Sequence, residues 1–81
     1  MTLDELRIGQ NAVVRKMNGA GAQKVRMMDM GISKGVRLEL RNIAPLGDPI
    51  EISIMGYELS LRKEDCKMVE VEVIEEVTAY E

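Results

Sequence analysis

Ala44-Pro45-Leu46-Gly47-Asp48-Pro49-Ile50 sets two prolines, a glycine and an aspartate between two runs in which apolar and polar residues alternate. Each proline fixes its own φ and pushes the residue before it, Ala44 or Asp48, toward extended geometry, while Gly47 can supply the positive φ of a tight reversal. The stretch reads as a stiff corner between two strands. Before it, Val36, Leu38 and Leu40 alternate with Arg37, Glu39 and Arg41; after it, Ile50, Ile52 and Ile54 alternate with Glu51, Ser53 and Met55. A period of two is that of half-buried strands. Gly56 closes the second run, and Tyr57, Leu59 and Leu61 alternate with Glu58, Ser60 and Arg62 in a third. Residues 36–61 therefore predict an antiparallel meander of three strands. The corner holds Leu46 and Asp48 in a nearly fixed pose. Turn chemistry accounts for every residue in it except Leu46, and Asp48 is expected to cap or bond nearby amides.

Outward from the meander, Ala12 to Met17 reads as a strand with Ala12 and Val14 on one face and Val13 and Met17 on the other. Val69, Val71 and Val73 alternate with Glu70 and Glu72 in a last strand. Thr2 and Glu5 fit a capping box, so Thr2 to Leu6 predicts one helical turn. Asn18-Gly19-Ala20-Gly21 is a break, after which Ala22 to Met30 are good helix formers and Gly31 sits where a left-handed C-terminal cap falls. Lys63 to Lys67 predicts a single helical turn. The expected fold is mainly β: a small five-stranded barrel with an inserted α-helix, residues 1–74, followed by an acidic tail over 75–81. Closure of the barrel is expected to remove exposed sheet edges.

Composition restricts what such a domain can do. A chain of 81 residues has room for one core, burying roughly 60% of its unfolded surface. It has 46% hydrophobic residues but no Trp, no Phe and two Tyr, so aliphatic side chains and seven Met must fill that core. Binding of single strands and reading of polyproline both rely on aromatic platforms. A net charge of −3 also opposes nucleic acid. The absence of His removes the imidazole bases and ligands of most hydrolytic triads and zinc sites. Cys66 stands alone, cannot form an internal disulfide, and lacks an activating neighbourhood, so it reads as a small buried side chain. No acidic stretch has the spacing of a calcium loop, and Gly19 and Gly21 lack the lysine and hydroxyl of a phosphate loop. The chain is expected not to be an enzyme and to need no cofactor or metal.

Acidic residues at Asp4 and Glu5 stand where a secretory signal carries positive charge, and no run approaches the ~20 apolar residues that span a bilayer. The expected compartment is the cytoplasm, with any action at a membrane passing through another protein. The helix carries the strongest hint of a partner. At ~100° per residue, Val25 and Met28 lie on one side and Met27 and Met30 on another. Either the barrel mouth takes in both pairs, or one side packs against a second body, a use that suits adaptable methionine.

Taken together, Leu6, Gly9, the segment Arg26-Met27-Met28-Asp29-Met30-Gly31-Ile32, Gly35, the 44–50 corner and Leu61-Arg62 resemble the family of ferrous-iron transport protein A (FeoA). The resemblance covers nearly the whole chain, leaving Cys66 and the tail outside it. It implies an SH3-like barrel that serves ferrous iron uptake by docking onto the cytosolic, GTP-binding part of ferrous-iron transport protein B. The positions that carry over as partner contacts are Met27, Met30, Leu46, Gly47 and Asp48, Leu46 foremost. With Val25 and Met28 from the reading of the helix faces, the expected contacts are Val25, Met27, Met28 and Met30 on the helix and Leu46, Gly47 and Asp48 on the corner. An alternative is a metal-sensing SH3-like domain akin to the C-terminal module of iron-dependent repressors. A winged-helix segment is not among these residues, which ranks that reading second. An RNA-associated small barrel is opposed by the acidity and the missing aromatics.

Overall fold

The computed structural model describes residues 1–74, so the acidic tail over 75–81 lies outside the described residues. A 3-10 turn at Leu3–Glu5 leads into strand β1 (Asn11–Met17), helix α1 (Gly21–Asp29), strands β2 (Arg37–Ile43), β3 (Ile50–Ile54) and β4 (Tyr57–Leu61), a short helix α2 (Lys63–Cys66) and strand β5 (Val69–Ile74). The strands form one antiparallel sheet in the order β4-β3-β2-β1-β5. The meander predicted for residues 36–61 is therefore present, and the inserted helix lies between β1 and β2.

Register explains the core. Leu38 is opposite Ile54 and Leu40 opposite Ile52 across β2 and β3, Ile50 is opposite Leu61, and Val14 is opposite Val71. All eight are buried, because a period of two sends each of these side chains to the concave face. Leu3, Leu6, Met27, Ile32 and Cys66 come in from outside the sheet to complete this aliphatic interior.

Two expectations are corrected. The sheet curls like a barrel but does not close, since no β4–β5 ladder forms among the described residues. The reason lies at the other edge of β5. Its Val71 N–H donates to the Met1 carbonyl at 2.8 Å, and Thr2 forms a bridge with Glu70, so the N-terminus occupies the edge that closure would have used. The second correction concerns Met17. A bulge between Val14 and Lys16 inserts one extra residue, which turns both Arg15 and Lys16 outward and brings Met17 back against the core.

Helix α1 ends in a Schellman motif. The Gly31 N–H donates to the Met28 carbonyl at 3.0 Å and the Ile32 N–H to the Met27 carbonyl at 3.1 Å, with Gly31 at φ +99. Glycine is needed there twice over, because a Cβ at Gly31 would also come within 2.4 Å of the Tyr57 hydroxyl oxygen. Met27 and Ile32, the apolar pair of the motif, are both fully buried.

Ile52 is 0% exposed at the centre of β3. Ile52→Asp should therefore abolish the folded state, because an unpaired buried carboxylate costs several kcal/mol against the ~5–15 that hold a domain together. Loss of amide dispersion in the NMR spectrum is the expected result; a folded spectrum would show that β3 is not the sheet's interior.

Candidate functional site

The corner is as rigid as its residues imply. The Ala44 N–H donates to the Pro49 carbonyl at 3.0 Å and the Gly47 N–H to the Ala44 carbonyl at 2.7 Å, with Gly47 at φ +87. Asp48 caps from a distance: its Oδ1 accepts the backbone N–H of Lys63, the first residue of α2, at 3.0 Å. The corner is thus bolted to the following helix. Leu46, at its tip, is 95% exposed.

Helix α1 divides its apolar residues between inside and outside. Met27 is fully buried and Met30 half-buried against the core, whereas Val25 and Met28 are 58% and 47% exposed. Met27 is therefore a core residue, which corrects its expected place among partner contacts; at 0% exposure its side chain has no surface to offer. The helix's rotation is pinned by Asp65 of α2, a buried carboxylate that accepts from Gln23 Nε2 at 2.6 Å and lies 3.3 Å from a terminal guanidinium nitrogen of Arg26. At the other end the Tyr57 hydroxyl donates to the Met30 carbonyl.

The structure adds residues that the sequence reading missed. Met55 and Tyr57 are exposed beside Gly31, close to Met30. Met55 stands at φ 51 ahead of Gly56 at φ 86, a two-residue hairpin with both centres left-handed. Asparagine is the ordinary first residue of such a turn, so Met-Gly in that place was the available signal. On another side of α1, an open groove of about 510 Å³ is lined by Arg15, Lys16, Met17, Lys24, Met28 and Lys34. The expected contact residues thus come from two different parts of the fold, Val25 and Met28 from α1 and Leu46 from the corner between β2 and β3.

Cys66 is fully buried. Its thiol, ordinarily near 9.0, is pushed up to about 12, first by burial and then by the carboxylates of Asp4, Asp65 and Asp48. A thiol held neutral is a poor nucleophile. Among the described residues no group of three or more His, Cys, Asp or Glu is placed to hold a metal ion, and no helix is long and apolar enough to cross a membrane.

The class these features define is a small open-barrel β-domain with an inserted helix and exposed apolar side chains on rigid supports. The family model of the FeoA domain matches residues 1–73, and the chain belongs to that family, which is one of ferrous iron transport. The Fe(2+) transport protein A/Fe(2+) transporter FeoB fusion protein of Porphyromonas gingivalis (strain ATCC BAA-308 / W83) is 40% identical over 74 residues, covering 91% of this chain and 9% of the fusion protein. The chain thus spans under a tenth of that relative's length. The FeoA-like protein of Clostridium acetobutylicum is 36% identical with a TM-score of 0.87, over 96% of this chain and 91% of that one. The zinc complex of Stenotrophomonas maltophilia FeoA, described as a prokaryotic SH3 domain protein, is 28% identical with a TM-score of 0.78 over 89% of each chain. A manganese-dependent transcriptional repressor superposes on 91% of this chain, and 36% of its own, with a TM-score of 0.82 at 22% identity, a likeness of fold alone.

Two outcomes follow from this geometry. Leu46→Asp should leave stability within about 0.5 kcal/mol of the natural chain in urea unfolding, because the side chain buries nothing; loss of the fold would place Leu46 in the core. For Cys66, the folded pKa lies above the unfolded one, so its contribution to stability is complete below pH 9.0 and is lost as pH rises toward about 12. Urea unfolding across that interval should show a fall in stability that Cys66→Ala lessens; equal slopes would contradict the assignment.

Proposed function

We propose that this domain is an accessory protein of ferrous iron uptake that docks onto the GTP-binding cytosolic part of a FeoB-type membrane transporter and modulates it. The observation that carries the reading is the 40% identical relative in which this unit and the transporter form one chain. Units joined covalently in one protein are brought to high effective concentration, a gain that has value where the two act on each other. The exposed residues supply the means. Leu46 stands on a corner that hydrogen bonds hold from both sides, and Val25 and Met28 face outward from a helix whose rotation is fixed. Apolar side chains carried on backbone that is already held lose no further backbone freedom on binding. Gly47 and Asp48 act by holding Leu46 in place, and half-buried Met30 borders the apolar surface near Tyr57. On this reading the domain works in the cytoplasm, brought to the membrane's inner face by its partner.

The metal-sensing alternative draws on the fold likeness to the manganese-dependent repressor. The docking reading is preferred because it draws on sequence kinship as well.

The test is direct. The natural chain should bind the transporter's isolated cytosolic region at ~100 μM or better, near −5 to −6 kcal/mol, and Leu46→Asp should weaken that binding at least about tenfold, or ~1.4 kcal/mol. Absence of association by the natural chain would refute docking. A stoichiometric Fe(II) titration of the isolated chain, with no transporter binding, would move the assignment to sensing.

A further inference from the structure

Four of the eleven Lys and Arg residues of this acidic chain converge on a single groove, and no acidic residue lines it. Three separate segments deliver them. The bulge in β1 turns Arg15 and Lys16 outward together, where an unbroken strand would have sent them to opposite faces. Lys24 comes from α1, with Met28 four residues on and hence on the same side of the helix. Lys34 comes from the turn before β2, which the Gly35 N–H fastens to the Val14 carbonyl at 2.8 Å. Arg15 is paired with Glu72 at 2.6 Å, and among the described residues Lys16, Lys24 and Lys34 have no acidic partner. Met17 and Met28 supply the apolar part of the lining.

We propose that this groove receives an acidic segment of the partner protein, with glutamate or aspartate side chains on the lysines and an apolar side chain on Met17 and Met28. The partner's being a protein rests on the docking reading above; the surface and its chemistry are additional to that reading. Charge complementarity selects the occupant. A basic rim on a chain of net charge −3 repels little of an acidic peptide locally while steering its approach. Nucleic acid fits less well, since the lining offers no aromatic ring on which a base can stack. The chain's own tail carries Glu75, Glu76 and Glu81. It departs from Ile74, however, which pairs with Asn11 at the end of β1 remote from Arg15 and Met17.

The experiment is an NMR titration of the full chain with a short synthetic peptide bearing glutamates on both sides of a leucine pair, and with its counterpart carrying lysine for every glutamate. The acidic peptide should shift the amides of Arg15 to Met17, Lys24 to Met28 and Lys34 below about 1 mM. The lysine peptide should not. Added salt should weaken the binding, and Lys24→Glu with Lys34→Glu should weaken it at least about tenfold. Absence of those shifts, or equal shifts with the lysine peptide, overturns the proposal. So does tighter binding of an oligouridylate RNA at the same residues, or concentration-dependent groove shifts in the free chain, which would mark a second copy as occupant. Full-length Glu75→Gln, Glu76→Gln, Glu81→Gln reports on the tail: groove shifts in that free variant would make the tail the occupant and overturn the proposal. The transporter's cytosolic region separates the two readings. If it binds the natural chain and the lysine-reversed variant equally, the groove proposal falls and docking stands. If it binds neither while the acidic peptide still shifts the groove, docking falls and the groove assignment stands.

Discussion

Burial of Met27 fixes the rotation of the one long helix, and the surface of the domain follows from that setting. With Met27 fully enclosed, a turn of ~100° per residue keeps Gln23, Lys24 and Met30 on the half-buried flanks of the helix, sets Val25 on the far side, and leaves Arg26 and Met28 exposed on opposite edges. Enclosing a methionine side chain contributes roughly 1.5–3 kcal/mol. Asp65 enforces the same rotation through Gln23 and Arg26, and rotating the helix away would leave a buried carboxylate unpaired. The Schellman motif at Gly31 adds Ile32 to the buried side. Core and cap therefore agree on which helix face is left for solvent or a partner.

The open sheet has its own consequence. Because the N-terminus pairs with the outer edge of β5, the mouth of the curl is filled by side chains from Leu3, Leu6 and Cys66 instead of being drawn shut by strand pairing. The aliphatic interior is complete with these residues and Met27, and it has no place for Leu46, Val25 or Met28. Their exposure is thus a surplus left by a filled core. Separately, the β1 bulge gathers Arg15 and Lys16 beside Lys24 and Lys34, giving the molecule one surface that is apolar and fixed at a corner and another that is basic and lined with methionine.

Much of this was legible in the sequence because it depends on local periodicity and turn chemistry. Ile50, Ile52 and Ile54 declared a strand face, Gly31 declared a helix end, and Pro45, Gly47 and Pro49 declared a corner whose leucine points away. What escaped was decided by contacts distant along the chain. The rotation of α1 depends on Asp65, some forty residues away, so Met27 and Met28 were indistinguishable beforehand. The pairing of Met1 and Thr2 with β5 has no local pattern, and without it a closed barrel was the natural expectation. The bulge was half visible, as two consecutive cations following Val14, but its register shift is set by the partner strand. Family membership came from combining the helix end with the corner, neither of which is specific alone.

The central claim is that the exposed apolar corner and helix face are a contact surface for the transporter. Hydrogen exchange of the full chain, with and without the transporter's cytosolic region, tests it most directly. The account predicts slowed exchange at residues 44–49 and along α1 on mixing, with β3 unchanged. Protection confined to β4, or no change anywhere at concentrations well above the dissociation constant, would contradict it.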